Sequence, residues 1–460
     1  MDIFGKRIHI VGIKGAGVSA LAKILRARGA TLCGSDVDER FFTDRELHAE
    51  GIPVEPFSSA HVASDALDSL IYSTAWSDAD EVRAAQERGI PVLSYPQALG
   101  EVFNESRCGI AIAGSHGKST TSALVSHILK EAGHDLSAVI GSVMVQHETN
   151  AFVGSDPFFV IEADEYENKF AYYKPHALLI TNIDYDHPDY FRDREAYDRV
   201  FEAFARGVFA RKGVVVACGD DSGVRRVFSG DPVTFYGTSA LCHYQISGIA
   251  IHKGRIQYTL FKRDHEIGTY TSALAGVHNA LNICGAVALC DVLGIVDCDA
   301  AARHAATFMG VARRFEYRGM RGSVRVYDDF AHHPTEIVAT LKGARDLFPG
   351  ARIWCVFGAH TYTRTRELLP DFARSFVHAD RALILDIYGS AREQGGAIHG
   401  RDLASAISSH SNNASYVGSH ASALEAIESH IDEMDVLITM GAGDVWTIAE
   451  SLLNHSRSIK

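Results

Sequence analysis

Lys118 and Ser119 follow a glycine in Gly114-Ser115-His116-Gly117-Lys118-Ser119-Thr120, and these residue types in this order can hold a polyphosphate. Glycines let backbone N–H groups approach phosphate oxygens, and a helix that starts at once adds its positive end. Lys118 would reach the β- and γ-phosphates, and the Ser119 hydroxyl would hold Mg²⁺. Ile112 stands where the longer Walker pattern has its first glycine, so the loop is a shortened form. A Gly-Lys-Ser turn also arises by chance. The apolar run at 109–113 before it and the helical pattern at 122–131 after it argue for phosphate binding instead.

Two further apolar runs end in groups that can do chemistry. Residues 157–161 lead into Glu162-Ala163-Asp164-Glu165, and residues 177–180 lead into Thr181-Asn182 and then Asp186-His187. Continuous apolar runs of this length suit strands buried in a parallel sheet, whose carboxyl ends are where ligands bind. A single acid at a strand end is usually only solvated. Beside a phosphate loop it has a use, because ATP chemistry needs Mg²⁺ and Mg²⁺ needs hard ligands. Glu162 and His187 are therefore expected to join Ser119 as metal ligands. Farther on, His278, Asn279 and Asn282 open an apolar helix, where polar groups are ordinarily caps. The pair Arg313-Arg314 would ordinarily be a solvated face; near ATP it would neutralise charge on a transferring phosphate.

The elements that must position these groups read as α/β throughout, in three domains at residues 1–105, 106–318 and 319–460. The first is Rossmann-like: a strand at 7–13, the turn Lys14-Gly15-Ala16-Gly17, a helix at 18–28 and a second strand ending at Ser35-Asp36. Its glycines fall as G-x-x-G-x-G, out of phase with the dinucleotide fingerprint, which points to a nucleotide or nucleotide sugar more than to NAD. Strands at 70–74 and 91–93 flank a helix at 80–89. The central domain is a P-loop ATPase sheet, with short alternating strands over 212–275 as a small antiparallel appendage. The third is again Rossmann-like, with strands at 324–327, 353–357, 382–385, 415–417 and 436–440. Asp328-Asp329, His332-His333 and His360 with Arg364 lie at its strand ends.

With 460 residues, 47% of them hydrophobic and 22% charged, the chain is too long for one ordinary core. A net charge of −13 without a basic block argues against nucleic acid as partner. No apolar run approaches the roughly 18 residues of a membrane span, and the N-terminus has no signal-peptide pattern. Eight scattered cysteines without a C-x-x-C pair suit a reducing cytoplasm.

Six motifs in order resemble the Mur ligases of bacterial peptidoglycan synthesis: the Gly114–Thr120 loop, Glu162–Glu165, Thr181-Asn182 with Asp186-His187, Gly276-x-His278-Asn279-x-x-Asn282, Gly310-Val-x-Arg313-Arg314-Phe315, and Asp328 to Pro334. The resemblance spans nearly the whole chain. It implies that ATP and Mg²⁺ drive the joining of a small amino acid, L-alanine first, to UDP-N-acetylmuramate through an acyl phosphate. Addition of a preformed tripeptide to the same sugar, as in recycling, or the reaction of another Mur-type ligase, is the alternative. By the same resemblance the Gly114–Thr120 loop, His278, Asn279 and Asn282 would hold the nucleotide. Lys118, Glu162, His187 and Arg314 would be catalytic, Arg313 would be among the nucleotide contacts with one arginine of the pair facing the γ-phosphate, and Asp329 would face the ribose or the closing interface. Gly15, Ala16, Gly17, Ser35, Asp36 and Ser73 would meet the UDP part, with Asn182, His360 and Arg364 among the substrate contacts. A cytoplasmic monomer or homodimer is implied.

The chain departs from the family pattern in three places. Lys14 replaces the usual glycine, Thr361 stands where an arginine follows the histidine, and residues 195–211 hold no lysine that could be carbamylated. Two readings compete from outside the family. A nucleotide-sugar dehydrogenase would leave the Gly114–Thr120 loop without a use, and a non-catalytic ATP-binding module would need no acceptor.

Overall fold

The computed structural model describes residues 5–454 apart from 40, 42, 64–65, 253–254, 390–392 and 394. Its first sheet joins β1 (Arg7–Val11), β2 (Thr31–Ser35), β3 (Val54–Glu55), β4 (Ser69–Tyr72) and β5 (Val92–Ser94), all parallel, in the order β3-β2-β1-β4-β5. The order reverses direction between β1 and β4, which opens a crevice at their carboxyl ends. β1 stops at Val11, two residues before its expected end, because Gly12 turns the chain at φ +75°. The helix Ala16–Ala27 starts directly after that turn. A Cβ on Gly17 would lie 2.3 Å from the Tyr95 hydroxyl oxygen, so only glycine fits.

The second sheet holds β6 (Cys108–Ala113), β7 (Ser137–Met144), β8 (Thr149–Phe152), β9 (Phe158–Glu162), β10 (Ala177–Ile180), β11 (Val214–Cys218), β12 (Thr234–Gly237), β13 (Tyr244–His252), β14 (Arg255–Lys262) and β15 (His265–Ser272). The order is β15-β14-β13-β12-β11-β10-β6-β9-β7-β8. β10, β6 and β9 are therefore parallel neighbours, and their three carboxyl ends sit side by side. The antiparallel appendage is narrower than 212–275. β11 and β12 pair parallel within the main sheet, and in this stretch the antiparallel ladders are those of β13 to β15, which continue that sheet's edge.

In the third sheet β16 (Glu316–Arg321), β17 (Val324–Asp329), β18 (Ile353–Gly358), β19 (Arg381–Leu385), β20 (Ala414–Gly418) and β21 (Val436–Gly441) run in the order β16-β17-β21-β18-β19-β20. Only β16 is antiparallel. It carries Glu, Tyr, Arg, Gly, Met and Arg at half-exposed or exposed positions, so no apolar alternation marks it in the sequence. The boundary expected at 318 falls inside this strand.

The first two sheets share one continuous apolar core. Phe103, at the end of the helix Tyr95–Asn104, meets Phe159 of β9 with ring centroids 5.6 Å apart. Its ring also covers Gly109 of β6, where a Cβ would be 2.6 Å from Phe103 Cζ. Burying a phenylalanine side chain of this kind contributes about 1.5–3 kcal/mol. It fixes the first sheet against the sheet that carries the phosphate loop.

Candidate active site

The phosphate loop leaves β6 and enters the helix Lys118–Glu131 through two glycines with positive φ, Gly114 at +136° and Gly117 at +81°. Neither position tolerates a side chain. A Cβ would stand 2.1 Å from Thr181 Oγ1 at Gly114 and 2.9 Å from Asn282 Oδ1 at Gly117. Asn182 braces the loop from β10: its Oδ1 accepts the His116 N–H and its Nδ2 donates to the His116 carbonyl, both at 2.9 Å. Lys118 Nζ donates to the Gly114 and Ser115 carbonyls and, at 3.0 Å, to Glu165 Oε2. Burial pulls Lys118 down, but Glu165, Asp164 and Glu162 outweigh it and raise the ammonium above its usual value.

The carboxylates divide by how they are engaged. Glu165 is fully buried and saturated, with Tyr197 OH on Oε1 at 2.9 Å and Lys118 on Oε2. Asp164 pairs with Lys169. Glu162 accepts only one backbone N–H, from Gly141 at 2.9 Å, and faces the Ser119 hydroxyl. Burial pushes its carboxyl above the usual range. His187, at φ +57°, packs its ring 4.6 Å from Tyr166. Its Nε2 lies 3.7 Å from Glu165 Oε1 and 3.8 Å from Asp186 Oδ2, beyond hydrogen-bond distance of both. Ser119, Glu162 and His187 line one cavity of about 350 Å³ with Lys118 and Asp164. Their hard oxygens and one imidazole fit a divalent cation. Asp164, Glu165 and His187 also bring ligand atoms within 4.8 Å of one another, but Glu165 is already used by Lys118 and Tyr197.

Two more cavities flank this one. The first, about 400 Å³, is lined by Gly117, Thr120, His278, Asn279, Asn282 and Asp329 among others. Burial, with Arg314 adding to it, lowers His278 to about 4, so its imidazole is neutral near pH 7. The second, also about 400 Å³, is where the three sheets meet: Lys14, Gly15 and Ala16 face Ser119 and Glu162 on one side and Phe330, His332 and His360 on the other. Arg314 lines all three cavities. Its guanidinium lies over the Phe330 ring at 5.4 Å and 3.5 Å from Glu336 Oε1.

Several expected contacts are placed otherwise. Arg313 lines the three-sheet cavity and not the cavity of His278 and Asn279: Nε donates to Asp328 at 2.9 Å, and Nη1 and Nη2 donate to the Gly443 and Gly441 carbonyls at 3.0 and 2.8 Å. It clamps β17 to the turn after β21. Asp329 lines the cavity of His278 and Asn279, and its oxygens accept the Phe315 and Ala331 N–H groups at 2.7 Å, while burial raises it to about 6. Asn182 lines the same cavity as His278, Asn279 and Asn282. Ser35 is fully buried, donating to Glu81 at 2.9 Å. Asp36 accepts the Lys14 and Val37 N–H groups and lines a separate cleft with Lys14 and Glu55. Gly17 faces the cavity of Ser119, Glu162 and His187, while Ser73 lies beside Gly12 just after β4, outside these three cavities. His360 does line the three-sheet cavity, whereas Arg364 is locked against Asp186.

Glu336 and Asp184 were not legible as site residues. His116 in the phosphate loop touches both, Asp184 Oδ2 at 3.1 Å and Glu336 Oε1 at 3.3 Å. Burial pulls His116 down, yet these two carboxylates outweigh it and raise the imidazole to about 9. Glu336 sits at the third position of the helix Pro334–Leu347, where an acid reads as half of a capping box with His333. It does form that box, which hides its second use. Thr335 closes the seam by donating to Asp184 at 2.8 Å.

Family models described as the Mur ligase catalytic domain, the Mur ligase middle domain and the Mur ligase glutamate ligase domain match residues 7–107, 112–290 and 313–443 in that order. The chain is 38% identical to a UDP-N-acetylmuramate–L-alanine ligase of Desulfitobacterium hafniense, covering 97% of this chain and 99% of the relative. It is 37% identical to the protein of that name from Treponema pallidum, over 99% and 97%. Among solved structures, a UDP-N-acetylmuramate–alanine ligase of Thermotoga maritima superimposes with a TM-score of 0.84 at 25% identity, over 99% of this chain and all of the other. A murein peptide ligase of Psychrobacter arcticus reaches 0.75 at 26% identity, over 98% of both.

Proposed function

The chain belongs to the Mur ligase family, and on that premise we propose that it joins L-alanine to UDP-N-acetylmuramate at the expense of ATP, in the cytoplasm, as a step of peptidoglycan precursor synthesis. The observation that carries this reading is Arg314, among the described residues the one common to the cavities read as those of the nucleotide, the phosphate loop and the three-sheet junction.

Residues 1–105 would hold the UDP-sugar, 106–318 the ATP and 319–460 the acceptor. The adenosine sits by His278, Asn279 and Asn282, and its phosphates lie along Gly114 to Thr120. The muramate carboxylate enters between Lys14-Gly15-Ala16 and Arg314. One carboxylate oxygen bonds to the γ-phosphorus as the bond to the β,γ-bridging oxygen breaks, which gives an acyl phosphate and ADP. Lys118 and Arg314 line one cavity and stabilise charge on the transferring group. Ser119, Glu162 and His187 would hold Mg²⁺, which when bound neutralises phosphate charge there. The alanine amine then bonds to the acyl carbon, the bond from that carbon to the phosphate oxygen breaks, and the amine gives up a proton. Phe330, Tyr388 and Trp446 wall this cavity and limit water, which would otherwise hydrolyse the acyl phosphate.

Transfer of a tripeptide is the second reading, motivated by the likeness to the murein peptide ligase. A cavity of about 400 Å³ shared with the sugar's carboxylate arm suits the smaller acceptor. Arg314→Ala tests the scheme. It should lower kcat by about 10²-fold or more while leaving UDP-sugar affinity near normal; unchanged kcat with lost sugar binding would remove Arg314 from the transferring phosphate.

A further inference from the structure

We propose that His9, His61 and Glu81, in the first domain and outside the three reaction cavities, form a binding site for one divalent transition-metal ion, zinc first. His9 stands on β1, Glu81 in the first turn of the helix Asp80–Glu87, and His61 in the short 3-10 turn Ser59–Val62. Three segments distant in sequence thus deliver two imidazole nitrogens and one carboxylate oxygen to one point. Glu81 Oε1 lies 2.7 Å from His61 Nδ1 and 3.2 Å from His9 Nε2. All three ligand atoms fall within 4.8 Å of one another. Ligands about 2.0–2.1 Å from a tetrahedral zinc stand about 3.4 Å apart, so small side-chain rotations seat the ion.

The surrounding groups point the same way. Histidines that bind a metal hold their other nitrogen against an outer acceptor, and ligating carboxylates are themselves hydrogen-bonded. Here His61 Nε2 meets Glu55 Oε2 at 3.0 Å, and His9 Nδ1 meets Cys33 Sγ at 3.3 Å. Glu81 accepts the Ser35 hydroxyl at 2.9 Å and the Ser58 N–H at 3.2 Å. The side chains of His9 and Glu81 are 1% exposed, while His61 is 17% exposed and gives an entry path beside Glu55. Two nitrogens and one oxygen favour zinc and its neighbours over Mg²⁺ or Ca²⁺. Glu55 also lines the cleft of Lys14, Asp36 and His48, so the ion would fix the wall of that cleft by pinning the turn at 59–62 to the sheet.

The full chain, stripped with chelator and held in excess Mg²⁺ to occupy the reaction cavities, should take up one equivalent of zinc in competition with a chromophoric chelator. His61→Ala and Glu81→Gln should each weaken that affinity at least 100-fold, and the exposed Glu55→Gln by about 10–100-fold. His147→Ala, in the separate cluster of His127, Glu131 and His147, should leave it unchanged. Should a core variant fail to fold, Co²⁺ absorption of the wild type against Glu55→Gln decides the matter. No tight equivalent in the wild type, equal zinc affinity in His61→Ala, or loss only in His147→Ala would each overturn the proposal.

Discussion

Arg364 donates from Nε and Nη2 to the two oxygens of Asp186, at 3.1 and 3.3 Å, across 178 residues of sequence. Both side chains are only 6% exposed, and Arg364 Nη1 also reaches His360 Nδ1 at 3.2 Å. The pair ties the helix Tyr362–Glu367 of the third domain to the loop that carries His187. The Nε and Nη2 groups of this arginine are thereby directed to Asp186.

Arg364→Ala leaves the buried Asp186 without its arginine partner, which costs up to about 3–5 kcal/mol. Denaturant unfolding should show the loss, and Arg364→Met with Asp186→Leu should recover part of it. A stable Arg364→Ala enzyme that has lost only its affinity for alanine would return this residue to the acceptor site.

Glu162→Gln should raise the Mg²⁺ concentration needed for half-maximal rate, with UDP-sugar affinity near that of the wild type. Glu162 is the carboxylate beside Ser119, while Lys118 and Lys169 pair with Glu165 and Asp164. His187→Ala should act in the same direction. The check is a Mg²⁺ titration at saturating ATP; an unchanged metal requirement with weakened sugar binding would reverse the roles.

Stability should fall as pH rises from about 6.5 to 9, through His116. Its folded value is raised to about 9 by Asp184 and Glu336 against the pull of burial. A base raised on folding stabilises fully below its unfolded value and loses that contribution as pH passes its folded value. The effect is on the order of 3 kcal/mol. Lys23, which burial lowers to about 8, acts in the opposite sense at higher pH. The wild type is therefore compared with His116→Gln, whose unfolding free energy should be flatter across that window. Parallel curves would exclude the His116 seam as the cause.

Legibility in the sequence followed covalent distance. The phosphate loop could be read because its glycines, lysine and serine are contiguous, and β6, β9 and β10 announced themselves as apolar runs ending in polar groups. Groups with two uses were harder to see. Glu336 is accounted for by helix capping alone, and Arg364 by its likeness to an acceptor contact, until Asp186 is seen opposite. Ser35 follows a glycine at a strand end, where a ligand contact is expected, yet its hydroxyl turns under the sheet toward Glu81. β16 escaped because an edge strand need not be apolar.

The central claim is tested most directly by ADP release with ATP, Mg²⁺ and UDP-N-acetylmuramate, as each acceptor is added in turn. L-alanine should give stoichiometric ADP, phosphate and UDP-N-acetylmuramoyl-alanine, with glycine and L-serine slower and the L-alanyl-γ-D-glutamyl-meso-diaminopimelate tripeptide inactive. Turnover with the tripeptide and none with alanine would contradict it.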